Sequence, residues 1–74
     1  MKLDPKSTVP LHQQAEEYLR KLIQKDEYRS GKLLPNEVEL SKELNISRNT
    51  LRQGINKLVF EGLLVRKKGY GTYV

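Results

Sequence analysis

Hydrogen-bonding side chains are concentrated in residues 47–52, whose sequence is SRNTLR. Arginine can donate two parallel hydrogen bonds to guanine, and asparagine can pair bidentately with adenine, in the major groove of DNA. Hydroxyl side chains and free amides at a helix start favour phosphate. The segment therefore indicates base contacts from Arg48, Asn49 and Arg52 and phosphate contacts from Ser47 and Thr50. The alternative is an ordinary polar helix face.

The spacing of apolar residues places this segment at the start of a helix. Leu51, Ile55, Leu58 and Val59 recur at i, i+4, i+7 and i+8, which is the period of one buried helical face. The polar cluster then occupies the first turn and a half, and a recognition helix enters the groove by its N-terminal end. The side chains left on the outward face are Arg48, Asn49, Arg52, Gln53 and Asn56.

The net charge of +5 lies entirely in residues 45–74. Residues 1–44 contain eight basic and eight acidic side chains, whereas residues 45–74 contain six basic side chains against Glu61 alone. A neutral framework joined to a basic surface suits a polyanion, because phosphate neutralisation and counterion release supply most non-specific affinity. A solvated basic face on an ordinary small domain is the alternative.

Composition limits the chain to one small domain and excludes several classes. It has 74 residues and no cysteine, so disulfides and thiolate-bound zinc are excluded. It has neither the roughly 18 apolar residues of a membrane span nor the apolar core of a signal peptide, so we expect a soluble, cytoplasmic protein. His12 is the only histidine, and catalytic motifs are missing. We therefore expect the chain to bind no metal and no cofactor and not to be an enzyme.

Periodicity predicts three helices ahead of a hairpin. Residues 1–9 lack it and are expected to form a flexible arm before a domain that spans 10–74. Leu34 precedes Pro35 and so favours an extended segment that could form a brief edge strand. Helix one follows Pro10 and carries one apolar stripe, made of Leu11, Ala15, Tyr18, Leu19, Leu22 and Ile23.

The second helix and the recognition helix are predicted to form a tight helix-turn-helix. Asn36 followed by Glu39 resembles a capping box, so the second helix begins near Glu37. Asn45 suits a left-handed terminator, and Ser47 suits the next cap. The expected core residues of helix two are Val38, Leu40 and Leu44, with Ser41, Lys42 and Glu43 outward.

A basic hairpin follows the recognition helix. Residues 63–66 and 71–74 are β-prone arms around a turn that contains Gly69, and three consecutive cations occupy positions 66–68. Such cations suit a wing that reaches a minor groove or its phosphates, although lysines that only guard a sheet edge are the alternative. The predicted fold class is mainly α with a small β-hairpin. It is a winged helix-turn-helix of three helices and a two- to three-stranded wing sheet.

Five motifs occur in order along the chain. They are residues 10–14 (PLHQQ), 34–40 (LPNEVEL), 46–55 (ISRNTLRQGI), Leu58 with 61–64 (EGLL), and 69–74 (GYGTYV). In this register the chain resembles the N-terminal winged helix-turn-helix of GntR-family bacterial transcription regulators. The resemblance implies sequence-specific binding of double-stranded DNA, with helix three in the major groove.

The resemblance implies that Ser47 and Thr50 contact DNA along with the base-reading residues, and that Lys68 and Gly69 lie at the wing tip. We expect Glu37 and Gln53 to join Ser47 and Thr50 at the DNA backbone. We expect the wing to contact the minor groove through Arg66, Lys67, Lys68, Gly69 and Tyr70.

Partners follow from the same resemblance. Members of the family place an effector-binding, dimerising domain after the wing, and these 74 residues do not include one. We therefore expect a full-length homodimer on an inverted-repeat operator, a small-molecule effector bound by that domain, and repression. Such a protein would associate with the nucleoid when bound to DNA. A chorismate-lyase-like sensor is favoured by the opening PLHQQ motif, and an aminotransferase-like one stays open.

Two positions depart from the family pattern. Val38 stands where relatives commonly have an arginine that contacts DNA, and valine cannot make that contact. Gly54 stands where alanine is usual, so it either permits close helix packing or only weakens the helix. Two other functions stay open: a winged helix that contacts protein or RNA, and a small regulator without a sensor.

Overall fold

Six short elements make up the structure, a computed structural model that describes residues 3–74. The predicted mainly helical fold with a hairpin is confirmed. The elements are α1 Leu11–Leu22, α2 Asp26–Arg29, α3 Glu37–Leu44, α4 Arg48–Phe60, β1 Val65–Lys67 and β2 Gly71–Tyr73. No helix within residues 3–74 is both long and apolar enough to cross a bilayer.

Helix α2 was not expected, since the sequence predicts three helices. It is a single turn in which Tyr28 is the one buried residue. Four residues are too few to show a helical period, and so short a helix is stabilised by tertiary packing rather than by its own propensity. It lies in the connection between α1 and the helix-turn-helix.

Side-chain caps define both helices of the helix-turn-helix. The side chain of Asn36 accepts a hydrogen bond from the backbone N–H of Glu39 at 2.8 Å, and that of Ser47 accepts one from Thr50 at 3.1 Å. Asn45 has φ 58°, the left-handed conformation that ends α3. Within residues 3–74 the Glu39 carboxylate makes no return bond to Asn36, so only half of the predicted capping box forms. These caps hold α3 and α4 in a tight turn.

The buried face of α3 differs from the prediction. Ser41 is buried and donates a hydrogen bond from its hydroxyl to the Val38 carbonyl at 2.9 Å, whereas the Val38 side chain is 40% exposed. The stripe that faces the core therefore runs through Leu40, Ser41 and Leu44. A helix of two turns is too short to distinguish between two overlapping buried stripes. The prediction that Val38 faces the core and Ser41 faces outward is therefore wrong.

Helices α1 and α4 pack closely at Gly54. A Cβ at this position would lie 3.1 Å from the Glu16 backbone nitrogen and 3.3 Å from the Ala15 Cβ. Gly54 therefore permits the close approach of the two helices, which was one of the two alternatives that the sequence left open. The side chains that fill the centre of the core are Leu19, Leu40, Leu44, Leu51, Leu58 and Leu64.

The wing is a two-stranded antiparallel hairpin. Val65 pairs with Tyr73 and Lys67 with Gly71 across the register. The segment near Leu34, which we expected to be extended, makes one backbone hydrogen bond to the wing, from the Leu34 N–H to the Thr72 carbonyl at 2.9 Å. It does not form a third strand of the sheet. This bond ties β2, on the side away from β1, to the segment ahead of α3.

The N-terminal segment, predicted to be a flexible arm, contacts the domain from Leu3 onward. Leu3 is buried, and its N–H donates to the Leu44 carbonyl at 3.2 Å. The Gln14 amide accepts from the Asp4 N–H at 2.9 Å and donates to the Asp4 and Val9 carbonyls at 2.7 Å each. One apolar anchor and one glutamine thus hold residues 3–9 against α1 and the end of α3. Residues 1 and 2 of the predicted arm lie outside the described part.

Candidate nucleic-acid interface

The outward face of α4 presents a row of hydrogen-bonding side chains. Asn49, Gln53 and Asn56 are exposed at spacings of four and three residues, which places them on one side of the helix. With Arg52 they line a shallow depression of about 230 Å³. This matches the outward set expected from the sequence, and Arg48 is exposed at the N-terminal end of the same helix. The face can donate and accept hydrogen bonds along its length.

The start of α4 combines free amides with two hydroxyls. The Ser47 and Thr50 hydroxyl oxygens are 2.8 Å apart, so one donates to the other. Ser47 also caps the helix through the bond from the Thr50 N–H, which uses its oxygen as an acceptor. Both side chains therefore help to build the helix start, and their exposure differs: Ser47 is exposed and Thr50 is half-buried.

Arg52 is held by partners within the domain. Its Nε lies 3.3 Å and 3.5 Å from the two carboxylate oxygens of Glu37 in α3. Its Nη1 lies 3.5 Å from the Asn49 side-chain oxygen. We expected Glu37 at the DNA backbone, and in the structure its carboxylate faces Arg52. This pair could not be predicted from local patterns, because the two residues are 15 positions apart on different helices.

The wing is attached to α4 through Arg66. Its Nη1 donates a hydrogen bond to the Asn56 side-chain oxygen at 2.6 Å. Arg66 therefore lies beside the recognition helix rather than at the wing tip. Asn56 was predicted to face outward but was given no role, so its bond to the wing is a second contact that the sequence did not predict.

The tip of the wing carries cations and aromatic rings. The Lys67 ammonium lies 5.5 Å from the centre of the Tyr70 ring, and Tyr70 meets Tyr73 edge to face at 5.7 Å. Lys68 and Gly69 are exposed, and Gly69 has φ 78°, a conformation that glycine adopts without strain. The tip is thus a compact turn with its charges directed to solvent.

A crevice of about 420 Å³ separates the wing from the start of α3. Arg66, Lys67 and Tyr70 line one wall, Asn36 and Glu37 line the other, and Ile55 lies among the lining residues. Because Glu37 also contacts Arg52, the crevice and the outward face of α4 form one continuous surface. The predicted helix and wing residues are therefore brought together on one side of the molecule.

Ion pairing leaves this surface strongly positive. Among residues 3–74, Arg52 pairs with Glu37, and Lys57 approaches Glu61 at 3.8 Å. The other four cations of residues 45–74 have no carboxylate partner in the described part of the chain; they are Arg48, Arg66, Lys67 and Lys68. Unpaired cations on one face can neutralise a polyanion without first breaking an ion pair.

Two helices joined by a tight turn, with a basic hairpin bonded to the second, define a winged helix-turn-helix domain. The model of the family described as bacterial regulatory proteins, gntR family, matches residues 11–74. The chain belongs to this family, as the resemblance of its motifs implied.

Relatives and solved structures agree with this assignment. The chain is 40% identical over 74 residues to the HTH-type transcriptional repressor NagR of Bacillus subtilis (strain 168), covering 100% of this chain and 30% of NagR. It is 43% identical over 56 residues to the regulator GmuR of the same organism, covering 76% of this chain and 24% of GmuR. The chain thus spans less than a third of the length of these relatives.

The fold is shared with a protein solved on DNA. AraR(DBD) in complex with operator ORX1 has a TM-score of 0.85 and 32% identity, covering 100% of this chain and 92% of that chain. YtrA from Sulfolobus acidocaldarius, a GntR-family transcription factor, has a TM-score of 0.79 and 34% identity, covering 100% of this chain and 62% of that chain.

Proposed function

We propose that this chain is the sequence-specific double-stranded DNA-binding domain of a ligand-responsive transcriptional repressor. The observation that carries the proposal is one surface that joins the outward face of α4 to the wing and holds four cations for which residues 3–74 provide no carboxylate partner. Two solved neighbours are complexes of AraR(DBD) with the operators ORE1 and ORX1, and NagR is named a repressor. Family, fold and surface charge therefore support the same function.

Helix α4 is proposed to read bases from the major groove. Arg48 and Asn49 lie exposed in its first turn, and Arg52 follows on the next turn with its terminal nitrogens free of Glu37. Arginine suits guanine and asparagine suits adenine by bidentate hydrogen bonding. Ser47, Thr50 and Gln53 are proposed to contact the DNA backbone around this entry point.

The wing is proposed to follow the adjacent minor groove. Lys68, Gly69 and Tyr70 occupy the exposed turn, and Lys67 ends β1 with its ammonium near the Tyr70 ring. Arg66 is bonded to Asn56, so its contact to DNA falls between the helix and the wing tip. Cations on a narrow hairpin can neutralise phosphates on both sides of a minor groove.

The rest of the regulator is also a proposal. The curated relatives are three or more times as long as this chain, which leaves room in them for a further domain. We propose that the full-length protein is a cytoplasmic homodimer on an inverted repeat, and that a small molecule bound outside these 74 residues controls its affinity. Two-fold symmetry of the protein would then match the symmetry of the operator.

The decisive experiment is a salt-dependent binding titration against three probes: a duplex selected from a randomised pool, a scrambled duplex of the same composition, and a duplex RNA. We expect the selected DNA to bind best. Lys68→Ala should reduce the magnitude of the log–log salt slope by about 0.9, the value for one phosphate contact. Lys21→Ala, which removes an exposed cation from α1, is the matched control and should leave the slope unchanged.

Three results would count against the proposal. Equal affinity for selected and scrambled DNA would remove sequence specificity. Preference for the RNA, or a slope that responds equally to Lys68→Ala and Lys21→Ala, would favour a winged helix with another partner.

Arg48→Ala should cost about 1–3 kcal/mol on the selected duplex and relax base choice at one position. A uniform loss on all duplexes would instead mark Arg48 as a phosphate contact.

A further inference from the structure

We infer that Glu37 is a positioning residue for base recognition: it orients Arg52 so that the terminal edge of the guanidinium faces a guanine. The inference rests on the proposed DNA-binding function and concerns how the same surface obtains its specificity. It gives Glu37 a role different from the DNA-backbone contact that we expected from the sequence.

The geometry of the ion pair determines which edge of Arg52 is available. A guanidinium offers two edges for paired hydrogen bonds, one formed by Nε with an Nη and the other by the two Nη atoms. Glu37 approaches Nε, at 3.3 Å and 3.5 Å from its two oxygens, while Asn49 lies 3.5 Å from Nη1. Glu37 therefore engages the side edge through Nε alone. The long contact to Asn49 uses one of the two hydrogens on Nη1, so both Nη atoms keep a donor for the O6 and N7 acceptors of guanine.

Burial and helix position make this orientation persistent. The Glu37 side chain is 25% exposed and sits at the first residue of α3, whereas that of Arg52 is 42% exposed on α4. The pair thus spans the two helices of the helix-turn-helix, and its acid end is the more enclosed. A long side chain held in one rotamer before binding loses less conformational freedom when it contacts DNA.

Direct contact of Glu37 with phosphate is chemically unfavourable. A carboxylate offers only acceptors, and the DNA backbone offers phosphate oxygens, which are also acceptors and carry the same charge. Arg52 provides donors to Glu37 and can provide donors to a base at the same time. Glu37 therefore acts on DNA through Arg52.

The test measures base discrimination rather than affinity alone. The 74-residue chain is titrated with its own selected duplex and with duplexes in which each base pair is replaced in turn. Arg52→Ala identifies the base pair that Arg52 reads. At that pair Glu37→Ala should reduce discrimination by about tenfold. Glu37→Gln keeps one acceptor for Nε and should lie between Glu37→Ala and the parent chain.

The controls separate positioning from charge and from folding. Glu39→Ala removes the same charge from the same helical turn without touching Arg52, and it should discriminate like the parent. Glu37→Ala and Glu39→Ala should both bind a duplex of unrelated sequence at least as tightly as the parent, because each removes one negative charge. In the Arg52→Ala background, Glu37→Ala should have no further effect on discrimination.

The inference is overturned if Glu37→Ala keeps full discrimination, or if it lowers discrimination equally with and without Arg52. Tighter binding of the selected duplex by Glu37→Ala, with discrimination retained, would show that Glu37 restrains Arg52 instead of presenting it. If the parent chain itself shows no preference among duplexes, the proposed function fails first, and this inference fails with it.

Discussion

Arg66 of the wing donates a hydrogen bond of 2.6 Å to the side chain of Asn56 on the recognition helix. The bond joins β1 to the outward face of α4, so the position of the wing relative to this helix is set within the protein. Together with the backbone bond from Leu34 to Thr72, it holds the hairpin from both sides. The wing is thus attached to the rest of the domain beyond its own strand pairing.

Removal of the Asn56 side chain should weaken the domain measurably. We expect Asn56→Ala to lower the free energy of unfolding by about 0.5–1.5 kcal/mol, the usual net value of one hydrogen bond. Asn49→Ala is the matched control, since it makes the same substitution on the same helix face and loses only a 3.5 Å contact. Urea denaturation followed by circular dichroism gives both values. Equal stability of the two variants would contradict a structural role for the Asn56 bond.

The Ser47 cap should contribute to stability independently of DNA. Ser47→Ala removes the acceptor for the Thr50 N–H, which lies 3.1 Å from the hydroxyl, so we expect a loss of about 1 kcal/mol. Ser47→Asp retains an acceptor and favours the helix start electrostatically, so it should restore most of the stability. Urea denaturation of the free protein measures the effect. A Ser47→Asp variant as unstable as Ser47→Ala would show that capping is not the cause.

Local signals were sufficient to locate the two helices that carry the candidate site. Ser47 and Asn36 were predicted as caps, and Asn45 was predicted as the left-handed residue between the helices; each occupies that position. These signals are readable because a cap or a positive φ depends on residues within three or four positions. The outward-facing side chains of α4 could be predicted because its apolar stripe is long enough to define a single buried face.

Features that depend on how elements pack against each other could not be predicted. The Glu37–Arg52 and Asn56–Arg66 contacts join residues 15 and 10 positions apart, and their formation depends on helix crossing and on the path of the wing. The single-turn α2 has too few residues to show a period. Val38 was misplaced because an eight-residue helix admits two apolar stripes that overlap.

Gly54 should not tolerate a larger side chain. Its missing Cβ would already lie 3.1 Å from a backbone atom of α1, so Gly54→Leu must push the two helices apart. We expect a loss of about 1–3 kcal/mol in the free energy of unfolding, as for other overpacked cores. Gln53→Leu adds the same side chain at an exposed neighbour, and it should change stability by less than about 0.5 kcal/mol. A Gly54→Leu variant as stable as Gln53→Leu would mean that the helices can separate freely.

Acid should weaken the contact between Arg20 and Glu61, which ties α1 to the end of α4. The hydrogen bond from Arg20, at 2.7 Å, lowers the pKa of Glu61 below its ordinary value of 4.5; burial opposes this shift, and Lys57 adds to it. Because the pKa is lower in the folded state, the stabilisation is complete above about pH 5 and is lost as the pH falls below 4.5 through the folded pKa. Carboxyl NMR titration should show that Arg20→Gln returns the Glu61 pKa toward 4.5, and that Lys57→Gln, which removes a partner at 3.8 Å, shifts it less. An ordinary Glu61 pKa in the unmodified chain would contradict the role assigned to Arg20.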